Sequence, residues 1–287
     1  MAGPDGQPVT RAAGRATPGA HIATRNASGG ADRAAVCRVE TGLASVTGVS
    51  TEWVRPALVA VGGLVAVGAV VAAVRLPVRD STVWAEALAV AGSAVVLVAV
   101  TWWLTGRTGA PDRDVALGWG LGSGLVLGGL WILEIGFNNL TPHDVSTAGA
   151  RGVLDNATWA VVGIVTVVAA VAVTVRTGRW RSGLRAGVWS GVGSGLGAAL
   201  GGALLLALFR TSVESDPLML DEWRRLGAGV GLPAYVARET MAGVGGHLWV
   251  LGVAQGALLG LIASLVTVVA VRFVAGSRTP GTTPSRS

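Results

Sequence analysis

Charged residues are scarce: Asp, Glu, Lys and Arg make up 13% of the 287-residue chain, about half the ~25% of an average soluble domain. Lysine is absent, so all 22 basic residues are arginine, set against 16 acids for a net charge of +6. The arginines lie scattered between apolar runs and form no basic patch with interleaved aromatics, which argues against nucleic acid as a partner. The single cysteine, Cys37, stands in a polar stretch; one cysteine allows neither an intrachain disulfide nor a cysteine-based metal site. Signatures of catalysis are missing as well: no P-loop, no His-Glu-x-x-His, no Ser/His/Asp set and no Asp-rich pair stand out. No cofactor or metal is therefore expected, and an enzyme is the less favoured class. Residues 1–52, rich in Gly, Ala, Arg, Thr and Pro, contain no apolar run of the 7–15 residues that a secretory signal needs. They read as a disordered tail, as do residues 275–287.

What the chain has instead is apolar length, with 51% hydrophobic residues. A bilayer core about 30 Å thick takes roughly 20 residues of helix. Six runs fit, at about 57–74, 83–104, 115–137, 157–175, 186–209 and 248–271. The expected fold is an all-α polytopic membrane protein, with a domain of six transmembrane helices over residues 53–274. Ten of the eleven tryptophans, among them Trp84, Trp159, Trp223 and Trp249, lie near run ends or in connections, where the headgroup region suits an apolar ring with one N–H. Trp131 is deeper. Arginines set the orientation, since cytoplasmic loops carry the positive excess. The connection at 176–185 holds Arg176, Arg179, Arg181 and Arg185 and no acid. Placing it inside puts fifteen arginines inside against seven outside, with both termini cytoplasmic and the cell membrane as the location. Two longer segments, 138–156 and 210–247, then lie outside; in the second, Met219, Trp223 and Leu226 follow the spacing of an interfacial amphipathic helix.

Two sequence echoes suggest an internal repeat. Val-Thr-Trp-Trp-Leu-Thr-Gly-Arg at 100–107 resembles Val-Thr-Val-Arg-Thr-Gly-Arg at 173–179, and Gly-Leu-Gly-Ser-Gly-Leu at 120–125 resembles Gly-Val-Gly-Ser-Gly-Leu at 191–196. Spans two and three thus read as a helical hairpin duplicated in parallel as spans four and five. The Gly-x-Gly runs lie inside spans, without the preceding strand that a dinucleotide fingerprint requires. Their fourfold spacing, at Gly120, Gly124 and Gly128, at Gly193, Gly197 and Gly201, and at Gly252, Gly256 and Gly260, predicts a glycine-packed bundle or an oligomer seam.

Within the spans only Glu86 and Glu134 carry charge, and a charge at a helix centre costs about 2.5–3.5 kcal/mol on insertion scales. With Asn138, Asn139, Asp155, Asn156, Glu239 and His247 they converge on the expected outer side, as candidates for a ligand or ion site. Glu86, Asp155, Asn156 and Glu239 also suit helix N-termini, where carboxylates and amides cap free N–H groups. Glu134 stands near a helix C-terminus, the unfavourable end of the dipole. At 100° per residue it lies about 40° from the Gly120 direction, facing neighbouring helices, with Arg151 or Arg238 as candidate ion-pair partners. His143, Asp144 and His247 lack metal-site spacing.

These features point to a small-solute or ion transporter, or a permease subunit. Its partners would be the lipid bilayer, a second copy of the chain, or a separate ATPase or other membrane subunit. A non-catalytic scaffold, sensor or assembly component is the alternative, and a membrane-embedded enzyme the third. The unpatterned first fifty or so residues lead to one testable expectation: translation starts near Val49 or Val54. Mass spectrometry of the native N-terminus should find it there, and peptides from residues 1–40 would overturn that reading.

Overall fold

The computed structural model describes residues 53–75, 80–106, 111–141, 145–227 and 229–276. Both tails expected to be disordered, apart from the first tail's neighbour Trp53 and the helix end at 275–276, lie outside them, as do Arg107, His143 and Asp144. Nearly all the described residues are helical, with no strand among them. In chain order the helices are α1 (Val54–Val74), α2 (Ser81–Gly106), α3 (Pro111–Leu140), α4 (Val145–Thr177), α5 (Trp180–Glu214), α6 (Pro217–Leu226) and α7 (Leu232–Gly246). A π-helical segment (His247–Ala254) and α8 (Gln255–Gly276) follow without a break. Six stretches are long and apolar enough to cross a membrane, which is the architecture of a multi-pass membrane protein.

The helices outrun the apolar runs that predict them. Residues 138–156, expected as an outer connection, belong almost wholly to the ends of α3 and α4. Polar side chains there turn back onto carbonyls one turn earlier and so are satisfied without leaving the helix surface: Asn139 Nδ2 donates to Ile135 O at 2.8 Å, Thr141 Oγ1 to Phe137 O at 2.7 Å, and Asn156 Nδ2 to Gly152 O at 2.7 Å. The sixth run departs further. It extends over Leu232–Val274, 43 residues, about twice what a bilayer core requires. Trp249, expected at headgroup level, instead donates from Nε1 to Ser93 Oγ at 3.0 Å, midway along α2.

Helix α5 is the centre of the bundle. In its most apolar stretch 83% of residues are buried, against 22–50% in the other five, and every residue from 190 to 203 is buried. It touches α1, α3, α4, α7, the π-helical segment and α8, while α2 packs chiefly on α1 and α7. Eight glycines from 183 to 202 would make a poor helix in water, each costing about 0.8–1.0 kcal/mol relative to alanine. In lipid the backbone must satisfy its own hydrogen bonds, so the helix persists.

The bareness of α5 lets other backbones come close. A Cβ on Gly124 would stand 3.0 Å from Gly193 Cα, and one on Gly128 3.0 Å from Gly197 Cα. The paired positions rise together along α3 and α5, so these two helices are parallel. On another side of α5, a Cβ on Gly187 would meet Gly260 Cα at 2.5 Å and Gly256 O at 2.6 Å, and one on Gly195 would meet Gly252 Cα at 3.1 Å. There the paired positions run in opposite senses, so α8 is antiparallel to α5. The turn between α4 and α5 needs Gly178, whose φ of 66° is left-handed and suits glycine; its N–H closes α4 by donating to Thr174 O at 2.8 Å.

At its far end α5 leaves helical geometry at Phe209 (φ −124°, ψ 23°). Arg210 then bonds Arg75 O at 2.8 Å and pairs with Glu214 at 2.9 Å. Asp216 caps α6, accepting from Leu218 N at 2.8 Å, with Pro217 in the first turn. On α6, Met219 and Trp223 are half-buried while Leu226 is exposed.

These approaches predict a sharp contrast. Gly187→Ala should destabilise the detergent-purified protein by about 1–3 kcal/mol, the usual cost of overpacking. Gly129→Ala, where a Cβ meets nothing within 4 Å, should be neutral or slightly stabilising. Thermal unfolding of both variants checks this, and equal effects would contradict the packing described.

Candidate functional site

The eight candidate residues do not form one cluster. Two asparagines, Asn139 and Asn156, are spent on the carbonyls of their own helices. The other six divide into two groups.

The first lies where α3, α4, α5 and the π-helical segment meet. Glu134 is 5% exposed and accepts a hydrogen bond from Asn138 Nδ2, one turn on. Asn138 Oδ1 is buried with no partner among the described residues. Asp155 stands within Coulombic reach of Glu134 and accepts from Trp159 Nε1 at 3.0 Å. Trp159 meets Trp131 edge to face, ring centroids 4.9 Å apart, and Trp131 meets the His247 ring at 5.3 Å. His247 Nδ1 is 2.8 Å from Gly243 O. Trp131 thus contacts His247 directly and Asp155 through Trp159, with Glu134 and Asn138 one and two turns further along its own helix.

Trp131 is the residue that sequence reasoning undervalued. It is 3% exposed and donates from Nε1 to Ser194 Oγ of α5 at 3.0 Å, so it ties four elements together. One turn along α5, Ser190 is fully buried; it accepts from Ser123 Oγ at 3.2 Å and lies 3.2 Å from Thr166 Oγ1. A signal was present: Ser123 and Ser194 are the hydroxyls within the two Gly-x-Gly-Ser-Gly motifs, polar groups placed mid-span.

The ion-pair partners expected for Glu134 are engaged elsewhere. Arg151 is buried and its Nη2 donates to the carbonyl and hydroxyl oxygens of Thr141, leaving Nε and Nη1 without a partner among the described residues. Arg238 reaches Glu239 at 3.3 Å and lies over the Tyr235 ring. The helical register explains both: Arg151 stands at the same height as the end of α3, and Arg238 belongs to α7, which packs on α2. Among the described residues Glu134 makes no ion pair.

The second group is that α2–α7 contact. Glu86, Glu239, Arg238 and Asp80 interact electrostatically there, and Glu86 Oε2 is buried without a hydrogen-bond partner among the described residues. Asp80 caps α2, accepting from Thr82 Oγ1 at 2.5 Å and Thr82 N at 2.8 Å; these two bonds hold its carboxyl below the usual carboxylate range.

No group of three metal-ligating side chains occurs among the described residues. The chain matches no protein-family model, no curated protein and no solved structure, so the chemistry of the site has to be read from its own residues.

The Trp131–Ser194 bond should be measurable as a coupling. Trp131→Phe and Ser194→Ala should each destabilise, and the double variant should fall short of their sum by about 0.6 kcal/mol, the average for hydrogen-bonded pairs within membranes. Strict additivity in thermal unfolding would show that the bond contributes nothing.

Proposed function

We propose that this chain is a small-solute or ion transporter, or the permease subunit of a larger assembly, with its ligand or proton site at Glu134 and Asn138. One observation carries the reading: a buried carboxylate sits beside a buried amide oxygen, and among the described residues the first has no ion pair and the second no donor. A carboxylate deep in an apolar environment is costly unless it is paired, protonated or bound to a cation. A proton, cation or donor group bound here would meet both the carboxylate and the vacant Asn138 oxygen. Intramembrane carboxylates facing a bundle interior commonly mark ion or proton pathways.

The surroundings suit that role. Trp131 closes one side of the polar group, and beyond it Ser194, Ser190, Thr166 and Ser123 offer hydroxyls inside the bundle. A path past Trp131 would follow them. The adjoining helical run is π-helical over His247–Ala254, a local widening frequent at functional sites. On the arginine distribution the Glu134 group faces outward, with both termini in the cytoplasm and the bundle in the cell membrane. Active transport would draw on an ion gradient or a separate ATPase, since the chain has no nucleotide motif.

In our reading the glycines hold this bundle together, and the hairpin of α2 and α3 is duplicated as α4 and α5. The parallel course of α3 and α5 supports a duplication. The two copies use their glycines differently: Gly120, Gly124 and Gly128 meet α5, whereas Gly191 and Gly195 meet the π-helical segment and α8. Equivalent faces thus have different partners, which lets one duplicated hairpin build an asymmetric site.

Proteoliposomes loaded with a pH-sensitive dye test the proposal against imposed proton and monovalent-cation gradients, alongside uptake of a panel of labelled metabolites. The expected result is a protein-dependent flux that falls at least tenfold in Glu134→Gln while the variant's thermal stability is kept or raised. Fluxes equal to empty vesicles for every solute, or a Glu134→Gln variant transporting like wild type, would overturn it.

A further inference from the structure

The opposite end of the bundle carries a feature that the transport reading does not use. A cavity of about 320 Å³ opens between the end of α2 and the first turns of α3 and α5, lined by Leu104, Leu117, Leu184 and Val188, with Arg113, Arg185 and Trp189. Its walls are mainly aliphatic, while the two guanidinium groups stand on different helices. Both arginines are exposed, and neither has a hydrogen bond or ion pair among the described residues. Close by, Arg176 and Arg181 are exposed as well, Trp102 and Trp103 stand exposed at the end of α2, and Trp180 opens α5. Tryptophan and arginine gathered at the ends of apolar helices mark the headgroup level of a membrane.

We infer that this cavity binds an anionic phospholipid, with the headgroup phosphate between Arg113 and Arg185 and the upper part of an acyl chain against Leu104, Leu117, Leu184 and Val188. Guanidinium groups match phosphate oxygens in charge and in fork geometry, and basic pockets between transmembrane helices suit phosphate headgroups. A soluble phosphate compound would use the arginines but leave the aliphatic wall unoccupied. A neutral lipid would fill the wall but leave two cations unanswered. An anionic phospholipid meets both halves, and its tail lies in the phase that already surrounds the helices.

Native mass spectrometry of the detergent-purified chain, titrated with phosphatidylglycerol, phosphatidylcholine or glycerol 3-phosphate, tests this. The expected result is a phosphatidylglycerol adduct formed at least tenfold more tightly than the phosphatidylcholine adduct. That preference should be lost in Arg113→Gln/Arg185→Gln, and glycerol 3-phosphate should not compete at equal concentration. Val188→Phe keeps both arginines and fills the cavity, so it should weaken the phosphatidylglycerol adduct independently. Equal binding of both lipids, an unchanged preference in the double arginine variant, or full displacement by glycerol 3-phosphate would overturn the inference, the last by showing a soluble phosphate compound to be the ligand. Glu134→Gln should leave the adduct unchanged, so this result is separable from the outcome for transport.

Discussion

The close approach of α5 to the backbones of α3 and α8 is the constraint on which the rest of the structure depends. Lipid supplies no hydrophobic drive for helices to associate, so contact between them rests on packing and hydrogen bonds. A helix stripped of side chains on two sides permits neighbours that bulky residues would hold off. With α3 parallel on one side and α8 antiparallel on another, α5 is buried almost throughout. Only with its backbone so close can Trp131 of α3 reach Ser194, and Ser123 reach Ser190. The polar interior is thus a consequence of the bare helix beside it.

That geometry also explains why Glu134 stands out. Glu239 pairs with its neighbour Arg238 and keeps solvent exposure. Asp155 is held by Trp159, and the two back-bonded asparagines serve their own helices. Among the described residues Glu134 is hydrogen-bonded by Asn138 alone, and the Asn138 oxygen has no partner there. Glu134 lies one turn beyond Trp131, which contacts Ser194 of α5, Trp159 of α4 and His247 of the π-helical segment. The adjoining helix passes this point in π-helical form rather than as a regular α-helix.

Much of the fold was legible in the sequence because twenty-residue apolar runs have few alternatives in a bilayer. The six spans follow from length alone, and the amphipathic spacing of Met219 and Trp223 marks α6. Helix ends were less legible, since Asn139, Thr141 and Asn156 satisfy their polar groups on carbonyls of their own helices, and polar residues otherwise read as connection. The excess length of the sixth run is legible, since no charged residue occurs from Thr240 to Val271, but Arg238 and Glu239 interrupt the apolar pattern without breaking the helix, so its true start and the place of Trp249 beside the middle of α2 are not. For the site, helical angle arithmetic turned Glu134 inward, but which helices share its surroundings depends on the order of helices in the bundle, and one chain's periodicity carries no record of that. The division of the acids between an α3–α4 group and an α2–α7 group could be seen only once α7 was placed against α2.

The central claim is that the Glu134–Asn138 group is a ligand site rather than a structural contact. A ligand that binds only the folded protein raises its apparent unfolding temperature as concentration increases, so thermal unfolding across a panel of metal ions, pH values and small metabolites is the most direct measurement. The account predicts that at least one condition raises the transition of the wild-type protein and that Glu134→Gln abolishes this rise. No shift anywhere in a broad panel, or a shift that persists undiminished in Glu134→Gln, would contradict it.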